Sequence, residues 1–377
     1  MLESRLRVDL ITPCLGIGGA DALIMGLVRY CYNIDFVGCA VEQRVTTQQR
    51  GWLQRAMPYV PIHESITTTE VQEDDEIYDN HVEAIEKACE NADLILSWGT
   101  PHLNRLIDMD KPVIDYAQNT SKHYKVICDS NKRFAYYKAA CSKSVAKACY
   151  PTKDDVAVIY NGIDPGRVSP RLNREIQRKV WGIGEEDKVL LFMGRFVEEK
   201  RPGSVIQVLS KLENWKGIFC GAGPQEDQLY NEAQRYAPGR VYFIKPQYHV
   251  GDILSSSDVF ILPSDYEGHS LALCEAWLAG VSTVYSDMPV CKELEDEFGM
   301  MGTMIKRKAT TEEMVEAVIR ADGLDTSRVA AANARTVTWH NFTLPAIAWQ
   351  WEEYFEYCVT DWRKRKRCVE IHPVKVL

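Results

Sequence analysis

The segment Met193-Gly194-Arg195-Phe-Val-Glu-Glu-Lys200-Arg-Pro202 places an arginine and a lysine five positions apart, just after an apolar run that ends in glycine. Arginine grips phosphate bidentately and lysine offers a compact point charge. The pair therefore suits a diphosphate whose charge must be neutralised as a bond to it breaks, a task for which other enzymes use a metal ion. Taken alone, the same residues are equally ordinary surface cations at a strand-to-helix turn. A second segment, Tyr266-Glu267-Gly-His269-Ser270-Leu271-Ala-Leu-Cys-Glu275-Ala, spaces two glutamates eight positions apart. With a helix beginning near Leu271, Glu275 sits one turn inside it and Glu267 on the loop before it. A loop carboxylate can bond sugar hydroxyls, and a helical one can accept from a ribose diol. The amides of Gly268–Leu271 then lie at a helix N-terminus, a natural seat for phosphate. Glu275 is flanked by Cys274, Ala276 and Trp277, so it is expected to be partly buried and to need a partner.

Three further segments are turn-like. Pro13-Cys-Leu-Gly16-Ile-Gly18-Gly19-Ala-Asp21 lets backbone approach a ligand closely, but a dinucleotide-binding fingerprint requires glycine where Asp21 stands. With Glu42 as a ribose-binding acid it supports an NAD-dependent oxidoreductase as a rival reading. Cys220-Gly221-Ala-Gly223-Pro224 and Asn161-Gly-Ile-Asp164 read as plain turns. Asp108-Met-Asp110 matches the D-x-D of metal-dependent transferases, in a turn context before Lys111-Pro112. No C-x-x-C pair occurs, and no metal site is expected.

Short apolar runs alternating with helical-period segments position these residues, the pattern of βα units on parallel sheets. Strands are expected at Leu6–Thr12, Phe36–Val41, Leu94–Trp98, Val113–Tyr116 and Val156–Ile159, then at Val189–Met193, Gly217–Cys220, Val241–Ile244, Val259–Leu262 and Thr283–Tyr285. Helices are expected at Asp21–Cys31 and Ser142–Cys149, then near Pro202–Leu212, Gln225–Ala237, Leu271–Ala279, Thr311–Ala321 and Ser327–Thr336. The turn-rich Asn161–Arg167 marks a domain joint. The expected domains are 1–164, 165–345 and a returning C-terminal helix at 346–377. In that last segment Trp349, Trp351, Tyr354, Phe355 and Cys358 are too apolar for a free tail, and the basic run Arg363–Arg367 reads as a solvated terminus.

The chain has 377 residues, 46% hydrophobic and 26% charged, which favours a two-domain soluble protein. Its net charge of −9 gives no general attraction to nucleic acid or anionic membrane. Of the twelve cysteines, Cys128, Cys141, Cys149, Cys220 and Cys274 stand singly in apolar or helix-like segments, and free buried thiols of a reducing compartment are expected. No apolar run reaches transmembrane length and no signal-peptide core follows Met1, so a cytoplasmic location is expected.

Together these elements resemble family 4 of the retaining GT-B glycosyltransferases. The resemblance rests, in order, on Gly18-Gly19, Ser142-Lys-Ser-Val-Ala, Tyr160-Asn-Gly-Ile-Asp, Gly194-Arg195 with Lys200-Arg201-Pro202, Gly221-Ala-Gly-Pro and the Glu267-x7-Glu275 signature. It covers about 350 residues and is stronger in the second half. It implies two facing Rossmann-like α/β domains, with a UDP-, GDP- or ADP-type sugar bound mainly by the second and a hexosyl or pentosyl group transferred with retention, without metal or cofactor. Carried across, Arg195 and Lys200 hold the diphosphate, Glu267 the sugar hydroxyls, and Glu275 the ribose. Gly194, Gly223 and the backbone of His269, Ser270 and Leu271 line the donor, and Gly18 and Gly19 approach it from the first domain. The family's usual first-domain histidine is missing after Val113–Tyr116, where Gln118, Asn119 or His123 takes its place against the donor sugar or acceptor. His269 stands where phenylalanine is usual and can itself contact the sugar. A glycan, small molecule, lipid or modified nucleic-acid base remains open as acceptor, and a GT-B-fold epimerase or non-catalytic nucleotide-sugar binder is the other rival.

Overall fold

The structure, a computed structural model, describes residues 5–12, 19–41, 57–64, 89–98, 110–131, 135–151, 155–323 and 325–371. The chain forms two compact units: Met1–Tyr160 with Pro345–Leu377, and Asn161–Leu344. The joint segment Asn161–Arg167 thus opens the second unit.

In the first unit β1 (Leu6–Thr12), β2 (Ile34–Val41), β3 (Ile62–Glu64), β4 (Leu94–Ser97), β5 (Val113–Ala117), β6 (Tyr137–Ala140) and β7 (Val156–Val158) form one sheet in the order β3-β2-β1-β4-β5-β6-β7. Every pairing is parallel. Strands covered on both faces need continuous apolar runs, which is why β1, β4 and β5 stand out in the sequence. β6 escapes that pattern because it carries Lys138. The lysine is buried all the same, with its Nζ donating to the Ala135 carbonyl at 2.9 Å. β3 is too short to announce itself. Helix Lys143–Cys149 begins as its capping serine suggests, with Val145 N–H donating to Ser142 Oγ at 3.2 Å.

The long helix Leu344–Ile371 covers this sheet with one aromatic face. Trp351 and Phe355 are fully buried, and the Trp351 ring meets Tyr116 edge-on at 4.8 Å. Asn33 donates twice to the Glu352 carboxylate, both at 2.9 Å, and Tyr354 donates to the Lys138 carbonyl at 2.9 Å. Trp349, expected to pack with them, lies on the exposed face instead. At the basic end Arg365 pairs with Asp361 at 2.6 Å, and Lys366 with Asp110.

In the second unit β8 (Lys188–Met193), β9 (Trp215–Cys220), β10 (Val241–Ile244), β11 (Val259–Leu262), β12 (Ser282–Ser286) and β13 (Thr303–Ile305) form a second parallel sheet, in the order β10-β9-β8-β11-β12-β13. The chain starts at β8, builds outward through β9 and β10, then returns to the other side of β8 with β11. Neighbouring connections therefore leave the carboxyl ends of β8 and β11 in opposite directions. That divergence opens a crevice where open α/β sheets bind ligands. Beneath it Phe192, Phe196 and Phe219 are fully buried, and Phe243 packs against them. Helix Leu271–Ala279 closes at Gly280, whose φ of +75° continues a capping turn. Gly280 N–H donates to the Trp277 carbonyl and Val281 N–H to that of Ala276.

Candidate active site

The loop after β8 alternates direction. Phe196 turns into the core while Arg195 stays exposed, its guanidinium pairing with Glu199 at 3.0 Å. A 3-10 turn, Glu198–Lys200, follows. Across the crevice Asp265 N–H donates to the Glu199 carbonyl at 2.8 Å, tying this loop to the one after β11. Lys200 then reaches Glu267: Nζ donates to Oε1 at 2.5 Å, and Ser264 Oγ donates to the same oxygen at 3.0 Å. Arg201, next in the chain, adopts φ +51° and ψ +44°, which costs a non-glycine residue about 1–2 kcal/mol. Its guanidinium donates to the Arg307 carbonyl at 2.5 Å, holding this bend, and Pro202 then opens helix Pro202–Lys211.

Helix Leu271–Ala279 starts where the spacing of the glutamates requires. Its N-cap, Ser270, makes no side-chain capping bond, so the first-turn amides are left for another acceptor. His269 corrects one expectation. Its imidazole faces inward: Nδ1 accepts the Asn161 backbone N–H at 3.1 Å, Nε2 lies 3.4 Å from Cys274 Sγ, and the ring stands edge-on to Phe342 at 4.9 Å. Burial pushes its pKa down to about 3. A neutral, enclosed imidazole locks the helix start, so a side-chain contact with a sugar is replaced by this internal role. The Asn161 side chain completes the lock, donating to the His269 carbonyl at 3.0 Å.

Glu275 has a partner that local pattern does not reveal. Arg167 Nε donates to Glu275 Oε1 at 2.6 Å, and the two side chains are only 9% and 6% exposed. The Arg167 guanidinium lies 5.3 Å from the centre of the Tyr248 ring, whose hydroxyl donates to Asp164 Oδ2 at 3.1 Å. The buried setting of Glu275 signalled that a partner was needed; one 108 residues away carried no signal of its own.

The glycines of the β8 and β9 turns serve packing. Gly194 N–H donates to the Cys220 carbonyl at 3.1 Å and Phe196 N–H to that of Ala222 at 2.8 Å, zipping the two turns together. A Cβ on Gly221 would collide with the Gly194 carbonyl, and one on Gly223 with the Phe196 backbone. Gly223, expected to line a ligand, is thus first a point of close backbone contact.

Arg195, Lys200, Glu267, Ser270, Leu271 and Glu275 are therefore brought to the carboxyl ends of β8 and β11 within one unit. The first-unit candidates belong to the other compact unit. Asn119 follows β5, and its Oδ1 accepts the Ser121 N–H at 2.8 Å; the carbonyls of Gln118 and Asn119 each accept a cysteine thiol at 3.4 Å. His123 is in helix Lys122–Asn131 and Gly19 opens helix Gly19–Tyr30. Gly18, Glu42 and Asp108 lie outside the described residues. Among the described residues no group of three His, Cys, Asp or Glu side chains is arranged to hold a metal, and Asp110 pairs with Lys366.

Residues 173–335 match the family model "Glycosyl transferases group 1". The chain is 26% identical over 215 residues to the N-acetyl-alpha-D-glucosaminyl L-malate synthase of Bacillus anthracis, a match covering 56% of each protein. The chain therefore spans about half the length of this curated relative, and less of others. Among solved structures it is similar to Anabaena HepE in complex with UDP and glucose, with a TM-score of 0.78, 17% identity, and coverage of 94% of this chain and 100% of that one. It is also similar to sucrose-phosphate synthase from Thermosynechococcus elongatus, with a TM-score of 0.76, 15% identity and coverage of 95% and 100%. These likenesses show the two-sheet GT-B fold, and the part of the second unit from residue 173 to 335 is similar to glycosyl transferases group 1.

Proposed function

We propose that the protein is a metal-independent glycosyltransferase that moves a sugar from a UDP-, GDP- or ADP-type nucleotide sugar to an acceptor with retention of configuration. The observation that carries this reading is the Lys200–Glu267 pair at the divergence of β8 and β11, beside the uncapped N-terminus of helix Leu271–Ala279. In the free protein lysine and glutamate neutralise each other. A diphosphate supplies a stronger anion for Lys200, with Arg195 and the helix amides beside it, and releases Glu267 to accept bonds from sugar hydroxyls. As the glycosidic bond breaks, charge grows on the leaving phosphate, where fixed cations favour the transition state over the ground state. The leaving phosphate then takes the acceptor proton on the same face of the sugar, which gives retention. The bound UDP and glucose of Anabaena HepE and the name of the Bacillus anthracis relative support nucleotide-sugar chemistry. We read the protein as cytoplasmic because ten of its cysteines, from Cys31 to Cys358, are buried free thiols. Among the described residues no helix is long and apolar enough to cross a membrane.

Thermal shift with UDP-, GDP-, ADP- and CMP-sugars tests this reading. At least one diphosphate sugar is expected to raise the melting temperature equally with and without EDTA. A shift abolished by EDTA would contradict metal independence, and none with any donor would remove the reading.

A further inference from the structure

The joint segment is fastened twice to the start of helix Leu271–Ala279. Asn161 N–H bonds His269 Nδ1 and Arg167 Nε bonds Glu275 Oε1, both across 108 residues, so two rungs six residues apart on one segment match two rungs six apart on the other. The first rung fixes where the helix begins. The second meets a carboxylate one turn further in, and only one of its oxygens is used. Glu275 Oε2 makes no hydrogen bond among the described residues, yet it is not among the buried polar atoms sealed without a partner. It therefore keeps access to solvent at the same end of the sheet as Lys200 and Glu267.

We infer that Arg167 is a positioning residue for ribose recognition: it holds Glu275 by Oε1 and leaves Oε2 to accept from the ribose hydroxyls of a bound nucleotide. This rests on the nucleotide-sugar reading above and deepens it. Tyr248 covers one face of the guanidinium, Asp164 holds the Tyr248 hydroxyl, and Val250 N–H fixes the backbone by donating to the Arg167 carbonyl at 2.9 Å. Asp164 is itself held by the Gly166 N–H at 2.9 Å. Burying an ion pair costs desolvation that the pairing barely regains, and an apolar pair of similar volume packs at least as well. What the ion pair adds is a charged carboxylate in one orientation, with its second oxygen available. A hydroxyl bonded to such a group discriminates sharply against a ligand that lacks it.

Calorimetric titration with UDP and 2′,3′-dideoxy-UDP, repeated with the GDP and ADP pairs, reads the ribose contact directly. Wild type is expected to prefer a ribonucleotide by about tenfold or more, the scale of a hydrogen bond to a charged group. Arg167→Lys keeps the charge but loses the planar fork, so this preference is expected to shrink to about twofold while dideoxynucleotide affinity stays near wild type. Glu275→Gln is expected to erase the same preference, and the double variant to lose no more than Glu275→Gln alone. A purely structural arginine would weaken both nucleotides together or neither. Unchanged preference in Arg167→Lys overturns the inference while leaving the nucleotide-sugar reading intact; no binding of any ribonucleotide by wild type overturns both. If circular dichroism shows Arg167→Lys unfolded, Tyr248→Phe, which frees the ring from Asp164, takes its place: a reduced preference supports the inference and an unchanged one overturns it.

Discussion

Lys200 Nζ lies 2.5 Å from Glu267 Oε1, so the cation ending one loop and the carboxylate on its neighbour already answer each other before any ligand arrives. The pair is mostly enclosed, with side chains 16% and 9% exposed, which makes it part of the loop architecture as well as of the proposed chemistry. Glu267→Gln, which keeps the shape and the Ser264 contact, is therefore a cleaner test than truncation. Steady-state kinetics should show turnover falling by about 10²-fold or more, the scale of lost transition-state electrostatics, with a melting temperature within a few degrees of wild type. Retained turnover would leave Glu267 a structural partner of Lys200. Arg195, exposed and paired among the described residues only with Glu199, should lose turnover on substitution by alanine without losing stability.

His269 makes stability depend on pH. Its imidazole titrates near 6.5 when unfolded and, held down by burial, near 3 in the fold. The unfolded chain takes up the proton first, so this contribution is complete above pH 6.5 and is lost as pH falls toward 3. Between pH 7.5 and pH 5 the site should remove about 2 kcal/mol from the unfolding free energy. Urea unfolding of His269→Phe should show that much less loss across the interval. Equal losses in the two proteins would mean that the imidazole is not held neutral.

Asp9 acts with the opposite sign. It lies inside β1, fully buried, and neither carboxyl oxygen has a hydrogen-bond partner among the described residues. Burial pushes its pKa up to about 7, against a partial pull downward from Lys111. The native carboxyl keeps its proton where the unfolded one has lost it, so stability falls as pH rises from about 4 to about 7. Asp9→Asn removes a buried charge without changing volume. It should gain about 2–3 kcal/mol over wild type between pH 5 and pH 8 in urea unfolding. A gain independent of pH would show that Asp9 is ionised, or protonated, throughout.

The fold was legible where burial on both faces forces apolar runs. β1, β10, β11 and helix Leu271–Ala279 have the bounds their residues predict. Elements whose stability comes from tertiary contact were not. β6 hides behind a lysine satisfied by a nearby carbonyl, and helix Pro289–Phe298 has a largely acidic exterior. The proposed site divides the same way. Arg195, Lys200, Glu267 and Glu275 show themselves because charge standing next to apolar residues at fixed spacing demands an explanation. Arg167 and Asn161 act through partners far along the chain, and His269 is a polar residue whose enclosure only the folded unit reveals.

Donor turnover by wild type and Lys200→Ala, followed as nucleoside diphosphate release from UDP-, GDP- and ADP-sugars in EDTA, tests the central claim most directly. Wild type is expected to turn over at least one donor, and Lys200→Ala to do so at least about 10²-fold more slowly while remaining folded. Equal release by the two proteins would contradict the assignment of the departing diphosphate to Lys200.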